Sequence, residues 1–543
     1  MKAKWLLFAG LSATMLFSCE RDNAPGTGDE NIVLNTDSQS LSTRLSKETS
    51  GVVGISSASQ ADARSKVGTE LEEAVNLPLE LIAQAAAPVF EGNTLQATHV
   101  DIDGNYAYVT YNTRGEKYLG AIDIFDISNV LSPVITSQAI FTGADLNAVK
   151  YADGKLYIAS AVDIYDDYGV ESPANLITVS TSGGKFTSDF TFTSILGNAG
   201  MDVTYANGYA ITASGADGAV TVIEGSSNTQ VKLQEFPEAI GITVDGNGIY
   251  VLDAQQGVVK FTGSDLTEAY SITIGDDYEQ SKRTMDIHGT TLIVSEGPRG
   301  AGLYNTTDGS MVGTIEIPVL TEGIDPIEIV TNAVSSNSTH LFMANGSAGV
   351  SVAEFGDAAL ASTMGVLDLL GSSNFVKANN EYLFVASGLE GLQILKLNLA
   401  DESSIACEDL PQYKGSAWLN VNSGEPQGYS GSLSVNGLNI NDDFTYCGSL
   451  AVKEWANVNS GGTFNMKGSI VVGQYKKESG LNINDTMIIE GSMVIYGNLV
   501  LNSGATLQFS GAGNSLTVYG NVYQNAGSSI TGDYTDTEGN VKK

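Results

Sequence analysis

GNGIYVLDAQQGVVKF, residues 246–261, is the stretch that decides the architecture. It reads as two short apolar strands, 249–252 and 258–261, joined by a turn that closes on Gly257. The phrase returns as YLFVASGLEGLQILKL at 382–397 and as LFMANGSAGVSV at 341–352, with looser copies at 292–304 and 209–223. A unit of that size cannot bury both faces of its strands alone, so copies must stack on one another.

The second strand of the unit is marked by Tyr108, Tyr157, Ile211, Tyr250, Ile293, Phe342 and Phe384, spaced 39 to 54 residues apart. That spacing suits one four-stranded propeller blade apiece. Turn pairs at 103–104, 153–154, 207–208 and 245–246 precede the strand. The strands run nearly apolar, as in VVKF or LQIL, which fits strands covered on both faces. The last unit has three strands, roughly 374–378, 382–386 and 392–397, before the polar DESS of 401–404. An orphan phrase, PVFE at 88–91, matches the fourth strand of the first unit, PVIT at 133–136. Pairing the orphan with the last unit closes a ring and removes both exposed edges. The expected fold is all-β, a seven-bladed β-propeller over 80–400.

From about Gly415 the vocabulary changes to Gly, Asn and Ser between short apolar triplets. GLNIND at 437–442 returns at 480–485, GSL at 448–450 as GSM at 491–493, and NSG at 459–461 at 502–504, always 43 residues on. GSI at 468–470 halves that period to about one solenoid rung. After a linker at 401–414, residues 415–535 therefore read as a small parallel β-helix or β-solenoid-like domain, with a tail at 536–543. A small sandwich is the alternative.

The wording of the propeller units, above all AIDIFDIS at 121–128 and SGLEGLQILKL at 387–397, resembles the LVIVD-repeat β-propellers. The resemblance covers most of 95–398. It implies a secreted or lipid-anchored bacterial protein, often of Bacteroidetes. That family has no settled general activity, so the likeness implies fold and location only.

The N-terminus reads as an address. Lys2 and Lys4 precede an apolar run at 5–18, too short for a bilayer crossing of about 20 residues and suited to the core of a signal peptide, 1–18. LFSC at 16–19 resembles the lipobox of bacterial lipoproteins, in which the signal is cut before the Cys and acyl chains such as palmitate are added to it. Cys19 is then the lipid attachment and the membrane the first partner. Residues 19–50, rich in Asn, Asp, Ser, Thr and Gly, read as a flexible tether. Residues 51–79 read as a partly helical lead-in. An acidic stretch after the Cys, interrupted by Arg21, resembles a surface-export signal. The expected location is the outer membrane, on the cell surface.

Asp and Glu outnumber Lys and Arg 62 to 26, a net charge of −36. Phosphate binding needs clustered Lys and Arg, so nucleic acid is excluded as a partner. With three Cys the chain is no disulfide scaffold. Cys407 and Cys447 either pair outside the cytoplasm, closing a loop worth roughly 4 kcal/mol, or remain two buried thiols.

Catalytic constellations are thin. There is no HExxH, CxxC or P-loop, and only three His, at 99, 288 and 340. No cofactor is implied. The acidic loops 163–171 and 276–279 offer carboxylates to Ca2+ without EF-hand spacing, and their tyrosines 165, 168 and 278 offer partner contacts. The position just before each innermost strand points to the channel mouth, and there the chain places His99, Asp202, Thr284 and, by looser alignment, Glu328. These form a candidate ligand funnel. The functional expectation is a lipid-anchored surface protein whose propeller binds a glycan or a protein. The alternative is a propeller hydrolase or lyase acting on extracellular polysaccharide, which calls for two facing carboxylates beside an exposed His or Tyr.

Overall fold

The computed structural model describes residues 31–47, 50–57, 73–166, 168–246, 248–274, 282–318, 324–355, 361–399, 410–422 and 427–542. The signal peptide, Cys19 and Cys407 lie outside them. Helix among the described residues is confined to Ser38–Ser42 and a 3-10 turn, Pro326–Glu328.

Seven antiparallel blades follow one another around a ring. Blade one is Gln96–Asp103, Tyr106–Asn112, Gly120–Asp126 and Val134–Phe141, each paired to the next. All seven marker residues lie on the second strands, from Tyr106–Asn112 to Tyr382–Ala386. Blades three and four share one long strand, Thr229–Asp245. Its first part is the outer strand of blade three against Gly215–Glu224, and its second part is the inner strand of blade four against Gly248–Asp253. Side chains from adjacent blades interdigitate. Ile122 and Ile124 of blade one pack with Val149, Leu156 and Ile158 of blade two, all fully buried. Burial on both faces explains the nearly continuous apolar runs.

The ring closes with an N-terminal strand, but not the expected one. Leu79–Ala85 is the fourth strand of blade seven and pairs with Leu392–Leu397 from Leu397↔Leu79 to Leu392↔Ala85. The phrase at 88–91 instead contributes Val89–Phe90 to a two-residue hairpin with Asn93–Thr94, turning at Glu91 and Gly92, both of positive φ. LELIAQA is made of good helix formers, which hides it as a strand. Yet all seven of its residues are buried, and packing on both faces overrides intrinsic preference.

The tether expected over 19–50 is also corrected, because residues 31–47 are built into the propeller. Ile32–Asn35 adds a fifth strand to blade one. A short helix follows, its N-cap Asp37 accepting from the Gln39 amide and its Leu41 buried. Leu45–Ser46 and Gly51–Val52 both pair with Leu79–Ala85, and Ile55–Ser57 adds a fifth strand to blade six. This strap blunts three outer edges that would otherwise present unpaired backbone. Part of the lead-in, 58–72, lies outside the described residues. Residues 73–77 are not helical, since Glu73 and Val75 bridge to Ser416 and Ser434.

The C-terminal region is a parallel solenoid of six rungs. One face stacks Trp418–Val421, Gly437–Ile440, Trp455–Val458, Gly480–Ile483, Asn498–Leu501 and Val522–Gln524. Parallel pairing in both sheets removes the sandwich alternative. The 43-residue repeat is two rungs, since Leu438 lies on Ala456 18 residues later and Ala456 on Leu481 25 residues later. The repeated GS dipeptide is a ladder of Gly431, Gly448, Gly468 and Gly491, with φ of 103, 129, 120 and 137°. A Cβ on Gly491 would overlap the Gly468 carbonyl oxygen, so only glycine turns the corner there. Asparagine ladders run up the stack: Asn439 Nδ2 donates to Asn420 Oδ1, Asn457 to Asn439 and Asn482 to Asn457, at 2.9–3.0 Å.

Propeller and solenoid are joined through the strap. The Val52 amide donates to the Gly473 carbonyl at 2.9 Å and the Tyr475 amide to the Ser50 carbonyl at 2.8 Å. Val52, Ala451, Val471 and Tyr496 form a buried apolar cluster there. Lys453 pairs with Asp368 of blade six at 3.1 Å.

Candidate functional site

The inner strands of blades one, two and four each open with a β-bulge, between Ala97 and His99, Leu146 and Ala148, and Ala239 and Gly241. A bulge re-aims the extra side chain, and in blades one and two it turns Thr98 and Asn147 onto a cavity of about 770 Å3. The cavity is the mouth of the central channel on the face that carries the loops between second and third strands. Its walls include Gln96, Asn112 and Arg114 of blade one, Lys282, Glu328, Asn332, Asn374 and Leu389.

Much of its polar lining ties one blade to the next. Thr98 Oγ1 donates to the Leu146 carbonyl at 2.9 Å, and Asn147 Nδ2 to the Gly200 carbonyl at 2.8 Å. The Thr284 amide donates to the Asn332 carbonyl, Asn332 Nδ2 to the Ser373 carbonyl, and Asn374 Nδ2 to the Ala97 carbonyl. Asp202 does the same work as an acceptor, taking the Ile242 amide of blade four at 3.0 Å and its own neighbour Val203 at 2.8 Å.

The four expected funnel residues therefore separate. Glu328 stands exposed on the mouth, with Oε2 accepting from Ser347 Oγ at 2.8 Å. His99, Asp202 and Thr284 are buried beneath it, 8, 5 and 4% exposed. The His99 ring lies 3.8 Å from that of Phe375. Burial first, and then Lys282, Lys377 and Lys150, hold its pKa well below the usual histidine value, so it is neutral. Asp202 is pushed up to about 6 by burial, against which Lys282 and the two amides act.

Lys282 was missed from the sequence and is the cation of the floor. Its ammonium donates to the carbonyls of Thr98 at 3.0 Å and Asn147 at 2.6 Å, in blades one and two, and sits 5.3 Å from the Phe375 ring centroid. Burial lowers its pKa to about 8, and Asp202 opposes that shift. Asn147, Asn332 and Asn374 were also missed, although each directly precedes an apolar residue that enters an inner strand. That recurrence was the available signal.

Elsewhere, Cys447 is disulfide-bonded; the proposed partner Cys407 lies outside the described residues. In the acidic loop at 163–171, Tyr165 is exposed, whereas Tyr168 is buried and donates its hydroxyl to the Asn31 carbonyl at 3.0 Å. Among the described residues no group of three His, Cys, Asp or Glu is placed to hold a metal. The second loop, 276–279, lies outside them.

No family model matches the chain, and no curated protein matches it. Solved structures similar to it are propellers. BamB from Moraxella catarrhalis is 12% identical with a TM-score of 0.38, covering 61% of this chain and 94% of its own. The WD40 β-propeller domain of Doa1 is 12% identical with a TM-score of 0.39, covering 60% and 97%. The computationally designed Ika8 protein is 8% identical with a TM-score of 0.37, covering 65% and 97%.

Proposed function

We propose that this is a binding protein of the outer membrane surface, lipid-anchored at Cys19, whose channel mouth captures part of a glycan or protein partner. The observation that carries the binding role is the mouth itself. It is a concave cavity of mixed polar and apolar lining whose walls are fixed by hydrogen bonds between blades, the preorganised kind of site that ligands use. A hydrolase or lyase calls for facing carboxylates served by an exposed His or Tyr. Among the described lining residues there is neither His nor Tyr, and the carboxylates of Glu328 and Glu390 are engaged by Ser347 and Gln84.

The anchor rests on the LFSC phrase at 16–19. The chain from Cys19 to Asn31, whose carbonyl accepts from the Thr142 amide of blade one, reaches at most about 40 Å at 3.3–3.6 Å per residue. On this reading the rim of blade one stays close to the bilayer. The test is a glycan and protein array probed with the full chain and with Ser372→Trp, which puts an indole into the mouth. The proposal expects a bound class that Ser372→Trp loses while its melting temperature holds. Binding that survives the substitution excludes the mouth.

A further inference from the structure

We propose that the channel mouth takes the carboxyl end of a peptide, with the Arg114 guanidinium on the terminal carboxylate and the Gln96 and Asn112 amides on the adjoining main chain. The inference rests on the mouth being the binding site and goes on to name what enters it.

The mouth divides into committed and open groups. Asn147, Asn332 and Asn374 spend their amides on neighbouring blades, as above. Both mouth carboxylates already accept hydrogen bonds. On blade one the situation differs. Gln96 and Asn112 face each other as a cross-strand pair. Asn112 gives one N–H to Asn147 Oδ1 at 3.0 Å and keeps its carbonyl oxygen. Neither the Gln96 amide nor the Arg114 guanidinium has a hydrogen bond or ion pair among the described residues. Three side chains with free donors and acceptors thus stand together on one wall.

The charge of that wall sets the sign of the ligand. Arg114 is an exposed cation of a mouth whose two carboxylates are already engaged, and it makes no ion pair among the described residues. The Lys282 ammonium of the floor donates to the Thr98 and Asn147 carbonyls, with its charge partly offset by Asp202. An exposed guanidinium with no ion-pair partner is a receptor for a carboxylate, which it grips with two parallel bonds.

The apolar lining narrows the class further. Leu389 is exposed beside Gln96, since Gly388 bridges Ala97, and Ile327 is exposed farther round the rim, with Met201 and Val330 deeper. No aromatic ring is among the described lining residues, so none of them offers a platform for stacking a pyranose. Free side-chain amides beside an exposed leucine match a main chain with an aliphatic side chain.

The test starts from a hexapeptide library with free carboxyl ends, passed over the immobilised full chain, with retained peptides read by mass spectrometry. The best retained peptide is then titrated calorimetrically as the free acid and as the C-terminal amide. Wild type is compared with Arg114→Ala, Leu389→Glu and Ser372→Trp, each checked for an unchanged melting temperature. The expected result is at least tenfold weaker binding of the amide, a comparable loss in Arg114→Ala, and loss in Leu389→Glu. If Leu389→Glu and Ser372→Trp weaken binding but amidation and Arg114→Ala do not, the carboxylate assignment is overturned and the mouth remains the site. If binding survives all three substitutions, both fall. A library that leaves no peptide retained, alongside an oligosaccharide lost in Ser372→Trp, overturns the peptide class alone.

Discussion

Arg44 fixes one end of the strap, and removing it should loosen the region where the ring closes. Its Nη2 donates to Asp123 Oδ2 at 2.7 Å, its Nη1 to Oδ1 at 3.1 Å, and its Nε to the Ala86 carbonyl at 2.9 Å. Asp123 is a fully buried residue of blade one, and Ala86 directly follows the closing strand. In Arg44→Ala the carboxylate keeps Gln138 Nε2, at 2.9 Å, and the Tyr111 hydroxyl, but loses its cation. Deleting one partner of a buried ion pair costs about 3–5 kcal/mol, because the other charge is left in a dry site. At 1.4 kcal/mol per factor of ten, even the lower figure raises the local opening constant about a hundredfold. Tryptophan fluorescence cannot read this, since Trp418 and Trp455 belong to the solenoid. Native-state amide exchange by mass spectrometry can, on peptides covering 31–47 and 79–86. Arg44→Ala/Asp123→Asn should recover part of the protection, because no charge is then stranded. Exchange within about threefold of wild type, or a double variant no better than the single one, would refute the buried-pair account.

Three other outcomes follow from the same geometry. Ile394→Ala, at a residue 1% exposed in the closing blade, should lower propeller stability by about 2–5 kcal/mol in denaturant unfolding, and a loss under about 1 kcal/mol would show the site is not packed as described. Gly468→Ala should lose more than about 1 kcal/mol, read by the solenoid tryptophans, because its φ of 120° suits glycine alone; an unchanged midpoint contradicts the ladder. Asp202, lifted by burial from 3.8 to about 6, is favoured by folding in its protonated form. Its contribution is therefore full below about pH 4 and lost as pH rises through 6. Relative to Asp202→Asn, wild type should gain about 2 kcal/mol between pH 7 and pH 4, and a gap that stays constant with pH would remove the burial argument.

What could be read from the sequence was whatever repeats. The seven strand markers, the three strands of the last blade and the 43-residue offset all recur, and recurrence survives local ambiguity. What could not be read was what occurs once. LELIAQA has the composition of a helix, and only the closing blade makes it a strand. NIVLNTDSQS, at 31–40, reads as a linker because its strand is four residues long and lies on an outer edge, where half its side chains face water. At the mouth, the alignment found the right level of the channel but not which side chains emerge. A bulge displaces Thr98 and Asn147 by one residue, and a slip of one flips a side chain to the other face. His99 was chosen where Thr98 is presented. Lys282 has no counterpart in other blades, so no comparison among repeats reveals it.

The strap changes what the solenoid is for. The weak point of a ring closed by its N-terminal strand is the non-covalent ladder between Leu79–Ala85 and Leu392–Leu397. Ile55–Ser57 fastens the N-terminal side of that ladder to blade six, and Gly51–Val52 runs between the closing strand and the solenoid at Gly473 and Gln474. Beyond the strap, Glu73 and Val75 bridge to Ser416 and Ser434. The buried Glu80 of the closing strand meets Lys396 at 3.7 Å across the ladder, and burial against the interface raises its pKa. Opening the ring thus means stripping the strap from blade six or exposing Val52, Ala451, Val471 and Tyr496 to water. A solenoid docked in this way acts as a clamp on the seam, which is why loss of its packing should reach the propeller through the closing strand before any other blade.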